Sequence, residues 1–285
     1  MIKYAFAKVN IALDILGKDK TGYHQIQTIF EQLPLMDEII FSVDKGEGKF
    51  NVRFRGEEAK LIDPANNTVI DAIKALNEFW TFKNDYDIIV DKNIPLGAGL
   101  GGGSSDAAEI IKALNEREIM KLSPNEMRDI GKKIGMDVPF FIEGETAFGT
   151  NYGEEIKILT KLSLFPEWNK KYKILVIPQL RNSTEKMYAK VDLAKCGANK
   201  AQTENILKNM EADNPGSILE DMHNDFENFA NSGFAEIKAK LTQNGAKHVI
   251  LCGSGSALLA LSSSQFDLKA LSQVLPHQRI LSLSR

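Results

Sequence analysis

Five of the seven residues from 97 to 103 are glycine, and an amphipathic pattern begins at once after them. The whole segment reads Pro95-Leu96-Gly97-Ala98-Gly99-Leu100-Gly101-Gly102-Gly103-Ser104-Ser105-Asp106. Ala107, Ile110, Ile111 and Leu114 then fall at i, i+3, i+4 and i+7, which predicts a helix opening near Ser104 to Asp106. Glycines let the backbone turn its N–H groups inward and let an anion approach without a Cβ in the way. The first N–H groups of the helix lack partners and lie at the positive end of its dipole. Together they predict a phosphate cradle. A flexible linker would not run straight into a patterned helix. The dinucleotide fingerprint is matched in form by Gly97, Gly99 and Gly102, but Asn93-Ile94-Pro95 stands between the preceding strand and the first glycine. No Gly-Lys-Ser/Thr follows, so the common P-loop is absent.

Around this segment the pattern is mixed. Strands are expected at 5–16, 27–33, 38–43, 51–55 and 86–90, and helices at 67–82 and from Ser123-Pro124 to about Lys133. Ser123 and Pro124 supply an N-cap and an N1 proline. A lysine-rich stretch with Pro166 and Trp168 suggests a junction, giving domains at 1–163 and 164–285. The second half opens with a strand at 174–177. It continues mainly helical to about Gln243 and closes with strands at 247–252 and 257–261 around Gly253-Ser254-Gly255. The fold class expected is α+β.

Composition narrows the function. With 35 basic and 38 acidic side chains the net charge is −3, which leaves no general attraction for nucleic acid or anionic lipid. The longest apolar run is five residues, 257–261, against roughly 20 for a bilayer-spanning helix. Membrane and nucleic-acid partners are therefore not expected. Two cysteines, Cys196 and Cys252, make neither a disulfide framework nor a four-thiolate site, and His248 is the one histidine near either of them. A reducing, cytoplasmic setting and no protein-held metal site follow as expectations. Oligomeric state has no signature in the sequence.

Several polar residues are candidates whose bland reading wins when each is taken alone. Lys8 and Asn10 interrupt the first strand at alternate positions and so share a face. Gly22-Tyr23-His24 reads as a hairpin turn, Asp137 as a cap before an apolar run, and Gly253-Ser254-Gly255 as a structural turn.

Together, though, Ala7-Lys8-Val9-Asn10-Ile11, the Pro95 to Ser105 loop and Cys252-Gly253-Ser254-Gly255 occur in the order of three motifs of the GHMP small-molecule kinases, and the chain resembles that family over nearly its whole length. Gly22-Tyr23-His24 with Gln27-Thr28, the segment Gly135 to Phe141, Gly153-Glu154 and Asn224 to Glu227 add to the likeness. The resemblance implies a two-domain fold, an N-terminal domain like ribosomal S5 domain 2 and a ferredoxin-like C-terminal one. It implies an ATP-dependent kinase acting on an alcohol, with Mg2+ accompanying ATP and a small substrate bearing a cytidine diphosphate arm. It puts Lys8 and Asp137 at the catalytic positions, residues 95–105 on the triphosphate, and Asn67 and Lys92 at the nucleoside. Asn10 falls on the acceptor arm, and Tyr23, His24, Thr184 and Tyr188 fall around the cytosine.

The chain departs from the family in two turns. The one after Gly17 lacks a common arginine and has Thr21 for a common Asp; the third motif continues Ser256-Ala257 where many members have proline and threonine. A kinase for homoserine or mevalonate, a non-catalytic ligand sensor and a nucleotide-dependent oxidoreductase remain as alternatives.

Overall fold

The computed structural model describes residues 1–159, 161–162, 165–179, 184–212 and 218–283. They form two compact units that interleave along the chain: Met1–Ala7, Leu33–Leu96 and Gly101–Gly144 in the first, Lys8–Gln32, Gly97–Leu100 and Glu145–Arg285 in the second. The junction expected at 163/164 lies outside the described residues.

In the first unit the later part of β2 (His24–Lys45) pairs antiparallel with β4 (Asn84–Asp91), and β4 pairs parallel with β3 (Phe50–Arg55). The strands expected at 27–33 and 38–43 are one strand. Pro34, which has no N–H to give, falls between its two registers, Thr28 to Glu31 against β5 (Thr146–Thr150) and Glu38 to Lys45 against β4. Helix α1 (Thr68–Asn77) buries Val69, Ala72, Ile73 and Leu76, one stripe at helical spacing. It ends five residues before the expected limit, because Phe82 turns away into a ring cluster with Phe50 and Tyr86.

Helix α2 (Gly102–Glu118) starts inside the glycine run, earlier than expected, and packs on α1, α3 (Pro124–Ile134) and α4 (Val138–Glu143). Each helical glycine costs about 1 kcal/mol relative to alanine. Burying Ile110, Ile111 and Leu114 outweighs Gly102 and Gly103, since each such side chain contributes roughly 1.5–3 kcal/mol. Ser123 and Glu126 form a reciprocal capping box at α3.

The second unit holds the part of β1 (Ile2–Lys18) from Lys8 onward with the start of β2, extended by β5, β6 (Glu155–Ile158) and the short β8 (His223–Asn224). Beside it lies a four-stranded antiparallel sheet in the order β11-β7-β10-β9, from β7 (Tyr172–Ile177), β9 (His248–Leu251), β10 (Leu258–Ser262) and β11 (Arg279–Leu283). Helix α8 (Ser232–Gln243) joins β7's side of the chain to β9, and α9 (Leu268–Val274) joins β10 to β11. That succession, β-α-β-β-α-β with the strands ordered 4-1-3-2, is the ferredoxin-like arrangement. Ile174, Val176, Leu258 and Ala260 of the sheet bury against Ile237 and Leu241 of α8 and Leu271 of α9. Among the described residues no helix is long and apolar enough to cross a membrane.

Candidate active site

In the second unit, three segments far apart in sequence meet through their backbones. Lys8 N donates to Leu100 O (2.9 Å) and Ala257 N donates to Ala98 O (3.1 Å). A Cβ on Gly99 would lie 1.8 Å from Cys252 O, and one on Gly255 would lie 2.1 Å from Gly99 N. The φ of Gly99 is +81°, so both space and conformation require glycine there. The glycine loop is therefore shaped to seat a second glycine turn. The loop's apolar members, Ala98 and Leu100, are buried.

Asn224 holds the turn at 252–255, its Nδ2 donating to Leu251 O and Gly253 O (2.8 Å each), and Leu251 N donates to Glu227 Oε1 (3.0 Å). The Asn224 to Glu227 segment, visible in the sequence as a family likeness, is thus the brace of the third motif.

Lys8 and Asn10 project from one face of β1. Lys8 Nζ donates to Asn10 Oδ1 (2.8 Å) and lies 5.5 Å from the centroid of the Phe30 ring. Asn10 Nδ2 donates to Thr28 Oγ1 (2.7 Å), whose hydroxyl donates to Ala12 O (2.7 Å). Both Lys8 and Asn10 are buried. A Cβ on Gly253 would come 3.1 Å from Lys8 Nζ, so the backbone of the third motif lies directly against the lysine head.

The aromatic residues form two pairs. His24 is buried, its ring 5.0 Å from that of Tyr188, which meets Phe226 edge-on. His24 Nε2 has no hydrogen-bond partner among the described residues, and burial, with Lys18 nearby, holds the imidazole in its neutral form. Tyr23 is 64% exposed at the hairpin tip, its ring 5.8 Å from that of Tyr152. Tyr152 Oη donates to Asp19 Oδ2, while Asp19 Oδ1 accepts from Thr21 N, Thr21 Oγ1 and Tyr23 N. These bonds hold the Asp19 carboxyl down at about 2. Nothing in the sequence singled out Tyr152, which lies 129 positions from Tyr23. Thr184 opens α6 (Thr184–Tyr188) and accepts from Ser254 Oγ (3.2 Å).

A second polar network ties β1 to β8 and to α7 (Lys200–Glu211). Asp14 accepts from Gln27 Nε2 (2.9 Å), Thr203 Oγ1 (2.6 Å) and His223 Nε2 (3.1 Å). His223 Nδ1 faces Asp221 O at 2.8 Å, so both ring nitrogens face acceptors and the imidazolium is the form that satisfies them. Burial works against each charge. The mutual bond outweighs it, raising His223 and, with Thr203 and Gln27, lowering Asp14.

In the first unit, Lys92 is sealed from solvent between two carboxylates. Its Nζ bonds Asp37 Oδ2 and donates to Asp106 Oδ2 (2.6 Å). Asp37 Oδ1 also accepts from Asn93 N and from Ile94 N (2.8 Å). The cluster fastens the chain just before the glycine loop to the first turns of the helix after it. A Cβ on Gly102 would stand 3.5 Å from Lys92 Nζ. Burial, together with Asp37, pushes Asp106 up to about 7. The expected nucleoside contact finds the Lys92 ammonium bonded to carboxylates instead. Asn67 is likewise engaged locally: its Oδ1 caps α1 by accepting from Val69 N and Ile70 N, and its Nδ2 donates to Asp63 O and Pro64 O.

Pro95 and Leu96 lead into the loop, Leu96 N donating to Glu58 Oε2 (2.9 Å). Gly101 is the left-handed N-cap of α2, and Ser105 N makes that helix's first bond, to Gly101 O (2.9 Å). The N–H groups of Gly102, Gly103 and Ser104 precede the ladder, and no acidic residue occupies the first turn. That donor set fits a phosphate. Gly103 O accepts from Thr68 Oγ1 (2.6 Å). Asp137 occupies the N-cap position of α4, yet its side chain makes no capping bond to the helix.

Residues 67–145 match the model of the GHMP kinases N terminal domain. A 4-diphosphocytidyl-2-C-methyl-D-erythritol kinase of Thermodesulfovibrio yellowstonii is 37% identical over 92% of this chain and 90% of its own. The crystal structure of a 4-(cytidine 5'-diphospho)-2C-methyl-D-erythritol kinase superposes with a TM-score of 0.73 at 26% identity, covering 99% of this chain and 98% of that one. The Methanococcus jannaschii mevalonate kinase structure shares the fold at a TM-score of 0.72 and 15% identity, covering 100% of this chain and 98% of its own. The chain belongs to the GHMP kinase family of small-molecule kinases, whose co-substrate is ATP. Within that family, the relatives that match it at 30–37% identity over most of its length are 4-diphosphocytidyl-2-C-methyl-D-erythritol kinases.

Proposed function

We propose that the chain transfers the γ-phosphoryl group of ATP to the 2-hydroxyl of 4-diphosphocytidyl-2-C-methyl-D-erythritol, in non-mevalonate isoprenoid precursor synthesis in the cytoplasm. The observation that carries this reading is the 37% identity, over 92% of the chain, to a kinase of that name. The meeting of Lys8, the 98–100 backbone and the 252–257 turn in one unit supports it. The division into domains 1–163 and 164–285 belongs to the same proposal.

The substrate hydroxyl forms the new P–O bond as the β,γ bond breaks; ADP leaves, and the hydroxyl proton passes to the Asp137 carboxylate. Lys8, aimed by Asn10, holds the attacking oxygen and favours its developing charge. The N–H groups at the start of α2 and the glycines before it hold the triphosphate. Tyr23 and His24, with Tyr188 and Thr184, frame the cytosine, and a flat base suits the paired rings. His24 Nε2, a neutral and buried ring nitrogen, is suited to hydrogen-bond such a base. Magnesium accompanies ATP on its phosphates. Among the described residues no group of three His, Cys, Asp or Glu could cage a metal.

An ADP-release assay with 4-diphosphocytidyl-2-C-methyl-D-erythritol, mevalonate and homoserine tests the substrate; release confined to the cytidine compound is expected. Asp137→Asn is expected to lower turnover by about 100-fold or more while nucleotide binding persists. Full turnover in that variant overturns its role.

A further inference from the structure

The second unit contains a cavity of about 200 Å³ that none of the proposed catalytic or substrate roles uses. It lies between α8 and the ends of the four-stranded sheet, with Leu251, Ser256 and Leu258 at its buried floor and Phe234, Ile237 and Gln278 along its walls. Gln179 and Asn231, both exposed, stand at the mouth and give a path to solvent. Among the described residues no charged side chain lines it.

Two buried polar atoms in this lining have no hydrogen-bond partner among the described residues, Ser256 Oγ and Gln278 Oε1. Ser256 is 5% exposed. A buried hydroxyl or amide oxygen without a partner costs about 1–3 kcal/mol, so two of them in one cavity mark a place built to be completed.

We propose that this cavity is a binding site for a small, neutral, mainly apolar molecule carrying one hydroxyl group, an alcohol or phenol. The volume exceeds the roughly 150 Å³ apolar cavity that admits benzene. The uncharged lining disfavours an ion, because a buried charge needs a partner. A hydroxyl both donates and accepts: it gives its proton to Gln278 Oε1 and accepts from Ser256 Oγ. The apolar body lies against Phe234, Ile237 and Leu258. The site is one residue from Gly255, whose backbone seats Gly99, and so adjoins the turn that backs onto Lys8.

Phenol and benzene are the probes, titrated into the full chain by calorimetry, with amide shifts of residues 251–258 recorded in parallel. Phenol is expected to saturate one site and to bind about tenfold more tightly than benzene, the worth of its hydrogen bonds. Ser256→Ala removes a donor without adding bulk, and should bring phenol to the level of benzene. Ser256→Val adds bulk at the floor and should abolish binding of both. The proposal is overturned if neither probe saturates, if phenol binds no better than benzene, or if Ser256→Ala leaves phenol binding unchanged. Should the valine variant fail to fold, the alanine comparison decides alone. None of these readouts involves phosphoryl transfer, so they stand apart from the kinase reading.

Discussion

Lys92 and Lys8 are both buried lysines, one in each compact unit, and their side chains do different work. Two carboxylates grip the Lys92 ammonium, and one of these, Asp37, also accepts backbone N–H groups of Asn93 and Ile94. The Lys8 ammonium is aimed by a neutral amide, Asn10 Oδ1, itself fixed by Thr28. A carboxylate pair offsets the Lys92 charge and makes that side chain a strut. Two lysines beside family motifs look alike in sequence; the carboxylates around Lys92 make it a fastening, and the kinase reading makes Lys8 the functional head.

The largest effect is expected at the strut. Lys92→Met leaves two buried carboxylates without a cation and should lower stability by about 3–5 kcal/mol in urea unfolding. A loss below that of a surface substitution would break the comparison. Next comes the functional head. Lys8→Met should reduce turnover by about 100- to 1000-fold with little change in unfolding midpoint. A variant that unfolds early but retains turnover when folded would invert the two assignments.

Asp106→Asn sharpens the account of the strut. The folded value of Asp106, about 7, lies above the ordinary carboxyl value of 3.8. Between those values the folded chain keeps a proton that the unfolded chain has released, so this group makes stability fall as pH rises from about 4 to about 7. The asparagine variant, a neutral isostere of the protonated carboxyl, should lose that slope and gain in stability on the parent as pH rises from about 4 to about 7. An unchanged slope between pH 4 and 7 would remove Asp106 as its source. His223, whose value is raised, stabilises below its ordinary 6.5 and loses that contribution as pH rises through its folded value, in the same direction but at higher pH.

The smallest effect is expected at Tyr152→Phe, which deletes the bond to Asp19 while keeping the ring beside Tyr23. On the kinase reading it should raise KM for the cytidine substrate several-fold, about 1 kcal/mol, with KM for ATP and kcat held. A matching rise in KM for ATP would show a general loosening instead.

Much of this was legible beforehand, and each miss has a physical reason. The α+β class, the N-cap at Ser123, the shared face of Lys8 and Asn10, and the helix after the glycines all follow from local periodicity and capping. Helix α2 starts earlier than the spacing predicts, because propensity disfavours glycine while packing of Ile110, Ile111 and Leu114 overrides it. The strands predicted at 27–33 and 38–43 are one strand whose partner changes from β5 to β4 between them, a change that spacing alone does not record. Lys92 and Asn67 stand at the nucleoside on the family likeness alone, and the carboxylates that bond Lys92 and the backbone groups that bond Asn67 are not recorded by any motif.

What the amino-acid order determined by itself is the set of short-range features: which segments are helix or strand, where glycine must sit, and to which family the chain is similar. Those depend on spacing over a few residues and on motif identity. Only the tertiary structure decided that Gly99 and Gly255 serve each other, that Asp37 and Asp106 share one lysine, that Tyr152 steadies the tip bearing Tyr23, and that Ser256 faces a cavity. Each of these is an encounter between backbone or side-chain atoms brought together by packing across long stretches of chain, and such encounters leave no periodicity to read.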